Sequence, residues 1–468
     1  MTSRQKWTLA LTSAAALMVA LDQLVVATAL STMQRDLHAS IATLEWTVNA
    51  FSLAFAVLLI TGAAVGDRFG RRRTFTAGLA LFTLASVACA LASDTSLLIA
   101  ARTVQGAGAA LVMPAAVALL TGAFPAERRG AALGVFTALV GLAVVGGPVV
   151  GGAVTEGIAW QWIFWINVPI GAVLIPLGYA RIAESRGPRT RPDLTGLALA
   201  SAGMLGIVWG LVRSSTAGWA STEVVLTLTA GVVFTAAFVA WEARAAEPMV
   251  PLRLFADRTF SAANASVFLL TAGLFSTVFF FAQYLQVSLG ASPLGAGLRF
   301  LPWTLTLFVV APAAGRLADR IGDRSLLGLG LALQTTGIGW LALTIANGDG
   351  YAAAVPALLI AGCGTSMALP ASQNAVMNSV RPSEVGTASG LFTTARQLGG
   401  VFGVAILAAV FAAHGSYAGA QTFRAGVGPA LAVAAGLSLL GAASALTIRP
   451  RSAAPTVAPV AVEAVAGG

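Results

Sequence analysis

The amino-acid sequence predicts an all-α membrane protein, and three observations lead to that fold class. Of the 468 residues, 57% are hydrophobic and only 10% are charged, whereas soluble domains carry about 25% charged residues. Apolar runs of about 18 residues or more, the length of a helix that spans a bilayer, recur along the whole chain. The third observation is an internal repeat, in which glycine and proline positions of the first half return in the second half.

The apolar runs predict fourteen transmembrane helices. Their approximate bounds are 7–30, 45–65, 74–92, 97–120, 131–154, 161–181, 194–213, 221–241, 262–286, 297–317, 325–346, 351–376, 386–412 and 428–448. Cytoplasmic loops of membrane proteins are enriched in Lys and Arg, which gives these helices an orientation. With the N-terminus inside, 21 of the 27 basic residues fall on the cytoplasmic side, four on the outer side and two within spans. Both termini are therefore expected in the cytoplasm of a bacterial cell, with the protein in its inner membrane.

The internal repeat divides the chain into two halves. Gly106 and Pro114, with two further glycines, recur 256 residues later at Gly362 and Pro370. A repeat of six spans with two inserted spans explains this offset. Halves related in this way form a transporter architecture with the substrate site between them. The expected organisation is a six-helix bundle at 1–190, two inserted helices at 191–245, a cytoplasmic linker at 246–261, a second six-helix bundle at 262–450 and a disordered cytoplasmic tail at 451–468.

The composition argues against several functional classes. A soluble enzyme with a large core is incompatible with so many apolar runs. The net charge of +9 follows from arginine-rich loops and does not indicate a nucleic-acid partner. No G-x-x-x-x-G-K-[ST] loop occurs, so ATP is not expected to drive the protein. No cofactor or metal is expected either. Cys89 and Cys363 both fall in apolar runs, so no disulfide framework is expected.

Two charged residues lie deep within the predicted spans. Asp22 is about 22 Å from the cytoplasmic end of the first span, and Arg102 is about 8 Å below the outer end of the fourth. In a hydrocarbon core about 30 Å thick, the two residues reach a similar depth. A charged residue at the bilayer centre costs about 2.5–3.5 kcal/mol, so it needs a function or a partner. We expect Asp22 and Arg102 to act as a proton-carrying pair; the alternative is that each only forms hydrogen bonds between helices.

Other polar and aromatic residues of the spans predict a cavity for an amphipathic compound. Buried amides need partners, and aromatic faces suit apolar or cationic ligands. Arg396 has no counterpart in the first half, so it is a candidate for substrate contact. Glu45, Glu156 and Glu223 lie near the outer ends of their spans and are expected to be interfacial. The candidate substrate-binding residues are Asn49, Phe279, Gln283, Tyr284, Gln373, Asn374 and Arg396.

Four short motifs occur in order along the spans. A charged loop motif is AAVGDRFGRRR at 63–73, and it returns as GRLADRIG at 315–322. The fourth span contains RTVQGAGAA at 102–110, the fifth contains AVVGGPVVGG at 143–152, and the turn into the sixth is WQWIFWINVPIG at 160–171. In these motifs the chain resembles the major facilitator superfamily and, within it, the fourteen-span drug:proton antiporters of the EmrB/QacA type. The resemblance covers nearly the whole chain.

The resemblance implies the major facilitator fold and proton-driven drug export by a monomer. Ala63 and Ala143 stand where the family has glycine, and Gln161 stands where it has arginine. An Asp–Arg network in the loop motifs would latch the two halves in one conformation, although membrane topology alone also explains the arginines. The glycines and proline of the fifth span would bend that helix or let it pack closely. The candidate gating residues are Asp67, Arg68, Gly70, Arg71, Arg72, Gly147, Pro148, Gly151, Gly152, Asp319 and Arg320.

The function expected from the sequence is proton-driven export of small hydrophobic compounds, cationic or neutral. A proton-coupled importer of the same superfamily is an alternative, which the GGPVVGG stretch and the two extra spans disfavour. A membrane sensor or scaffold would need a folded soluble domain, and no predicted loop is long enough to form one. A pump dedicated to one secreted metabolite fits the sequence as well as a multidrug pump does.

Overall fold

The computed structural model describes residues 1–186, 193–246, 248, 250–381 and 384–449. Within these ranges the secondary structure is helical, and the described part contains no strand. A 3₁₀ helix, Leu252–Ala256, precedes α10. The helices are α1 (Ser3–Asp36), α2 (Ile41–Phe69), α3 (Arg71–Ala90), α4 (Thr95–Ala123), α5 (Ala126–Gly157), α6 (Trp162–Trp165), α7 (Asn167–Arg181), α8 (Leu194–Ala217), α9 (Thr222–Glu242), α10 (Arg258–Val287), α11 (Pro293–Leu298), α12 (Leu301–Asn347), α13 (Tyr351–Asn378), α14 (Val385–His414) and α15 (Ala420–Ala445). The all-α prediction is confirmed.

Twelve helices of the described chain are long and apolar enough to cross a bilayer. α2 would be a thirteenth span if its two segments, which are bent by 51°, cross together. α5 has 32 residues, but several of its side chains lie outside the described set. The membrane-protein class is therefore confirmed, whereas the count of fourteen spans remains a prediction.

Short polar side chains begin several helices. Thr2 forms a capping box with Gln5 at the start of α1, in which each side chain accepts a hydrogen bond from the backbone N–H of the other residue. Ser40, Asp94 and Ser221 cap α2, α4 and α9 by accepting a hydrogen bond from the backbone N–H three residues later. These oxygens satisfy N–H groups that have no acceptor within the helix, so the chain changes direction where the sequence places them.

Two glycines make the sharp connections at the repeated loop motif. Gly70, with a φ of 113°, separates α2 from α3, and Gly322, with a φ of 81°, interrupts α12. Positive φ values strain residues with a Cβ, so glycine suits both positions. The two glycines are 252 residues apart, the offset that also relates Asp67 to Asp319. The motif therefore repeats a backbone geometry, and α12 contains the predicted tenth and eleventh spans on the two sides of Gly322.

The helices run between two faces of the molecule, which we name by the chain termini. The near face is where α1 begins and α15 ends, and the far face is opposite. At the near face Gln5 Nε2 donates to the carbonyl of Ala123, at the end of α4, over 3.1 Å. The backbone N–H of Arg449 donates to Thr259 Oγ1, at the start of α10, over 3.3 Å. The first and last described segments are thus each held against a neighbouring helix.

Apolar side chains form separate cores near one face and a shared core near the other. One core contains residues of α1–α5 and α7, from Leu11 to Ile182. A second contains residues of the 3₁₀ helix, α10 and α12–α15, from Leu254 to Ile448. The largest core includes Val25 of α1 together with Phe280 of α10, and so joins the first half to the second. The halves therefore meet through apolar packing towards the far face.

The inserted helices α8 and α9 form a hairpin beside the junction of the two halves. Arg213 and Glu223 form an exposed ion pair of 3.1 Å across the hairpin. Val208 of α8 packs in one apolar cluster with Leu53 of α2 and Val401 of α14. The hairpin thus contacts a helix from each half.

The segment between α9 and α10 covers 243–257, a few residues before the linker predicted at 246–261. Asp257 caps α10, which therefore begins at Arg258, and the 3₁₀ helix occupies part of what remains. The predicted tail at 451–468 lies outside the described residues. The domain boundaries as a whole remain predictions.

Candidate functional site

A buried carboxylate with three hydrogen-bond donors is the centre of the site. Asp22 of α1 has a relative exposure of 0%. Arg102 Nη1, from α4, lies 2.5 Å from Asp22 Oδ2. Gln105 Nε2 and Asn167 Nδ2 lie 2.8 Å and 2.7 Å from Asp22 Oδ1. One charged donor and two amides thus stabilise the ionised carboxylate away from water.

Arg102 is itself held by neighbouring helices. Its Nε donates to the carbonyl of Thr47 in α2 over 3.0 Å, and its Nη1 also donates to Gln105 Oε1 over 2.6 Å. The guanidinium carbon lies 4.3 Å from the ring centre of Phe51 and 5.7 Å from that of Phe164. Nη2 is buried and has no hydrogen-bond partner in the described structure. The guanidinium therefore keeps the two N–H donors of Nη2 for a further acceptor.

A serine joins the two amides that hold the carboxylate. Ser86 Oγ, from α3, accepts from Gln105 Nε2 over 2.8 Å and from Asn167 Nδ2 over 3.3 Å. The structure thus brings together the predicted pair, Asp22 and Arg102, within a network of four helices. Sequence reasoning missed Gln105, Asn167 and Ser86. Gln105 and Asn167 could have been identified from the sequence, because they belong to the RTVQG and WINVPIG motifs.

This arrangement can hold one exchangeable proton. In the state described, the carboxylate of Asp22 accepts hydrogen bonds from Arg102, Gln105 and Asn167. If α1 moved away from α4, Asp22 would lose Arg102 and burial would favour its neutral, protonated form. The proton-carrying role of the pair remains a prediction, with this geometry as its basis.

A small cavity of about 30 Å³ lies beside the network, between the two halves. Gln23 follows Asp22 on α1 and lines this cavity instead of the network, because successive helical residues point about 100° apart. Gln23 Nε2 donates to Ser52 Oγ, and Gln397 Nε2 donates to Gln23 Oε1, each over 3.4 Å. Drug-sized pockets measure about 300–1,000 Å³. A compound of that size needs the halves to separate.

Two of the seven candidate substrate-binding residues, Asn49 and Phe279, line this cavity. Gln283 is buried on α10, one helical turn beyond Phe279. Tyr284 is also buried, but its hydroxyl donates to the carbonyl of Asp349, in the connection after α12, over 3.3 Å. Tyr284 therefore contributes to packing at the far face, and the structure does not bring it to the cavity.

The expectation of buried amides on α13 is wrong. Gln373 and Asn374 are exposed and lie towards the near-face end of the helix, because the other sides of these turns pack on neighbouring helices. Arg396 directly precedes Gln397 on α14, and its Nε is buried without a partner in the described structure. Sequence reasoning missed Gln23 and Gln397 as cavity residues. Each stands next to an intramembrane charge, and the helical rotation that turns it to another face is not visible in the sequence.

The loop motif at the near face forms a network within the first half. Arg71 Nε donates to Asp67 Oδ1 over 2.8 Å. The backbone N–H of Arg72 donates to Glu184 Oε1 over 3.0 Å, and its guanidinium lies 4.6 Å from the ring centre of Tyr179. Glu184, which follows α7, was not predicted. No described contact of these residues reaches the second half, but the side chains of Asp319 and Arg320 lie outside the described residues, so the latch remains a prediction.

The remaining gating candidates have simpler surroundings. Arg68 lies over the ring of its neighbour Phe69, with 5.4 Å to the ring centre. The side chains of Asp319 and Arg320, in the second copy of the motif, and of Pro148 in α5 lie outside the described residues. The gating roles of all these residues remain predictions.

The glycines of α5 let that helix pack closely against α1 in the first half and α11 in the second half. A Cβ at Gly147 would lie 2.7 Å from the Cβ of Leu24, and one at Gly151 would lie 2.7 Å from the carbonyl oxygen of Val25. Gly152 instead faces the backbone of Pro293, in the second half. Such close backbone approaches leave no room for a side chain. Close packing is therefore a property of this cluster in the state described.

Glu45 contradicts the expectation of an interfacial position. It begins the second turn of α2, and its relative exposure is only 4%. Glu156 and Glu223, by contrast, are exposed as expected. Near this end of α2, Tyr417 of the connection between α14 and α15 packs in the same apolar cluster as Leu44 and is influenced by the charge of Glu45. A contact between residues so far apart in the chain leaves no local signal in the sequence.

Comparison with known proteins agrees with this architecture. The chain matches the family model of the Major Facilitator Superfamily over residues 12–404 and again over 263–466. The multidrug resistance protein Stp of Mycobacterium tuberculosis is 33% identical over 415 residues, which are 88% of this chain and 77% of that protein. The cephamycin export protein CmcT of Amycolatopsis lactamdurans is 36% identical over 420 residues, which are 87% of this chain and 85% of that protein.

A solved structure shows the same fold. The crystal structure of the peptide transporter POT in complex with sulfate aligns with a TM-score of 0.68 over 94% of each chain, at 14% sequence identity. At that identity the likeness concerns the fold alone. Together with the family match and the apolar helices, it leads to one conclusion: the chain belongs to the Major Facilitator Superfamily and is a multi-span membrane transport protein, not an enzyme.

Proposed function

We propose that the protein is a drug:proton antiporter, which exports small hydrophobic compounds, cationic or neutral, in exchange for protons. The observation that carries the proposal is the buried carboxylate of Asp22, paired with Arg102 and adjacent in the chain to Gln23 of the central cavity. A proton site next to a substrate cavity lets one ligand influence the binding of the other. The relatives named for multidrug resistance and for cephamycin export support the outward direction.

In this proposal the protein is a monomer of the fourteen-span EmrB/QacA type in the bacterial inner membrane. The near face, with both termini, faces the cytoplasm. When the halves separate at the far face, the compound leaves and Asp22 takes a proton from outside. When they separate at the near face, Asp22 releases the proton and pairs again with Arg102. The carboxyl group of Asp22 thus alternates between a protonated form and an ionised form that is paired with Arg102.

The driving force is sufficient for export. A proton that moves inward gains about 2.3 kcal/mol per 100 mV of membrane potential. About 1.4 kcal/mol corresponds to a factor of ten. At a membrane potential of 100 mV, one proton per cycle therefore supports an approximately 50-fold concentration gradient of a neutral compound. The central cavity offers amide and hydroxyl groups beside aromatic rings, a lining that suits compounds with an apolar body and few polar groups.

Everted membrane vesicles test this function. A proton gradient is established in vesicles that contain the protein, and ethidium, an aromatic organic cation, is added. We expect the gradient to fall when ethidium is taken up, and vesicles without the protein to show no such change. If a panel of hydrophobic compounds including ethidium enters the vesicles without any loss of the gradient, proton antiport is wrong.

A pump for one secreted metabolite is the second candidate, because the cephamycin exporter among the relatives is named for a single compound. Expression in a pump-deficient host, followed by a susceptibility panel, separates the two. A multidrug pump protects against several chemically unrelated compounds, whereas a dedicated pump protects against one.

A further inference from the structure

Glu45 lies between the central cavity and the far face. Its side chain is 4% exposed and follows the capped start of α2. Asn49, which lines the cavity, is four residues further along the same helix. Residues four apart lie one above the other on a helix, so Glu45 is one turn closer to the far face than Asn49.

The second half of the chain supplies polar groups at the same level. Gln283 is four residues beyond Phe279 on α10 and is therefore one turn closer to the far face than that cavity residue. Gln283 is 3% exposed, and its Oε1 is buried without a hydrogen-bond partner in the described structure. Tyr417, between α14 and α15, has a buried hydroxyl that lies close enough to Gln283 to be influenced by it. Burial first, and then the charge of Glu45, raise the pKa of Tyr417, an effect that Gln283 partly offsets.

No basic side chain balances Glu45 among the described residues. Arg35, Asp36 and His38, in and after the end of α1, are exposed, and none of the described ion pairs includes Glu45. Tyr417 is the titratable group described against it from the second half. Asp22, with Arg102 at its carboxylate, is the opposite case. Burying a carboxylate without a cation is costly, whereas a protonated carboxyl is neutral and can donate a hydrogen bond.

We propose that Glu45, with Gln283 and Tyr417, forms a second protonation site, at which one proton taken from the far side accompanies closure of the far face. When the halves are in contact, Glu45 is buried and carries the proton. When they separate, Gln283 and Tyr417 move away with the second half, and Glu45 meets water. A solvated glutamate is ionised at neutral pH, so the proton returns to the side from which it came. The site therefore favours closure in acid and opening in alkali, without carrying a proton across the membrane.

Distances between spin labels across the far face test this proposal. Labels are placed at the exposed positions Ser93 and Asn347, which lie in or next to far-face connections of the first and second half, with Cys363 replaced by serine. The background is Asp22→Asn, which removes the titration of the other buried acid. We expect the ratio of open to closed far-face populations to rise with pH by up to about tenfold per unit, the limit for one coupled proton.

Glu45→Gln should abolish that dependence and hold the far face closed at every pH, because the amide resembles the protonated carboxyl. Glu45→Ala also lacks a titratable group and should give a flat profile. Glu223→Gln is the matched control, since Glu223 is exposed and pairs with Arg213 within one hairpin, so it should leave the pH dependence unchanged. A pH-dependent shift that survives in Glu45→Gln, or a background protein that shows none, overturns the proposal.

The proposal deepens the proposed function, and the two can fail separately. The spin-label experiment needs no transport, so a failure of antiport leaves its outcome unaffected. If ethidium displaced the population to the open state only while Glu45 is present, the site would bind an organic cation and not a proton, and the assignment made here would be wrong.

Discussion

Asp22 and Glu45 are both buried acids, but their surroundings differ. Asp22 accepts hydrogen bonds from a guanidinium and two amides, whereas Glu45 has no described cationic partner. The first environment stabilises a charge, and the second favours its neutralisation. Two acids with different surroundings in one transporter permit two separate responses to protons.

The Asp22–Arg102 pair predicts a specific pattern of stability. Arg102→Met leaves a buried carboxylate without its cation, a change that costs about 3–5 kcal/mol in folded proteins. Asp22→Asn combined with Arg102→Met should recover much of this loss, since neither charge then remains. Melting temperatures of the purified variants in one detergent measure both effects. Arg396→Met is the control. No described ion pair involves Arg396, so this variant should lose less stability than Arg102→Met. Additive losses at Asp22 and Arg102 would show that the two residues do not interact.

The depth of Asp22 and Arg102 could be predicted from the sequence, because helical rise converts residue number into distance. The direction of a side chain could not. Gln105 and Asn167 point at Asp22, and Gln23 points away from it, only because of how α1, α4 and α7 are rotated against one another. The burial of Glu45 was missed for a related reason, since groups of the other half of the chain, such as Tyr417, lie near it.

At the scale of elements, the glycines of α5 differ in whether they contact another helix. Gly147 and Gly151 are in close contact with α1, and Gly152 with α11. Gly146, in the same motif, has no atom within 4 Å of its Cβ position. Gly147, Gly151 and Gly152 are therefore needed for close contact between helices, whereas Gly146 of the same motif is not.

Gly152→Ala should weaken closure of the far face, because its Cβ would overlap the backbone of Pro293 in the other half. We expect a several-fold loss of transport rate at equal protein level, measured as ethidium efflux from cells. In Gly146→Ala the added methyl group has no atom within 4 Å, so this variant should retain the transport rate of the wild-type protein. Equal losses in the two variants would mean that these glycines act through the flexibility of α5 and not through its contacts.

The motif copies show what repeated sequence can and cannot reveal about elements. The loop motif correctly located two sharp connections, and the structure gives the reason in the positive φ of Gly70 and Gly322. The place of α8 and α9 was not predictable, since apolar runs carry no information on neighbours. Their packing along α2 and α14 depends on side chains such as Val208 and Val401, which are unremarkable in the sequence.

At the scale of the whole molecule, two described hydrogen bonds join the halves at the far face, in addition to the Gln23–Gln397 contact in the central cavity. The backbone N–H of Leu294 donates to Glu156 Oε2 over 3.1 Å, and Gln286 Nε2 donates to the carbonyl of Thr28 over 3.4 Å. At the near face, the charged network of Asp67 remains within one half. Opening at the far face would require these two hydrogen bonds to break.

A cross-link at the far face should therefore stop transport. Glu156→Cys with Leu294→Cys joins the halves when a short bifunctional thiol reagent is added, and we expect ethidium efflux to fall to the background rate. Arg213→Cys with Glu223→Cys is the control, because both positions belong to the α8–α9 hairpin and their bridge leaves the halves free. Undiminished efflux by the fully cross-linked Glu156–Leu294 variant would rule out opening at this face.

Proton coupling through Asp22 is tested most directly by proton movement in proteoliposomes that contain the purified protein and a pH-sensitive dye. An ethidium gradient is imposed, and internal pH is recorded. For the wild-type protein we predict proton flow opposite to the flow of ethidium, and for Asp22→Asn, reconstituted at the same density, we predict none. Proton flow of equal size in Asp22→Asn, or ethidium flow without protons in the wild-type protein, would contradict the role given to this carboxylate.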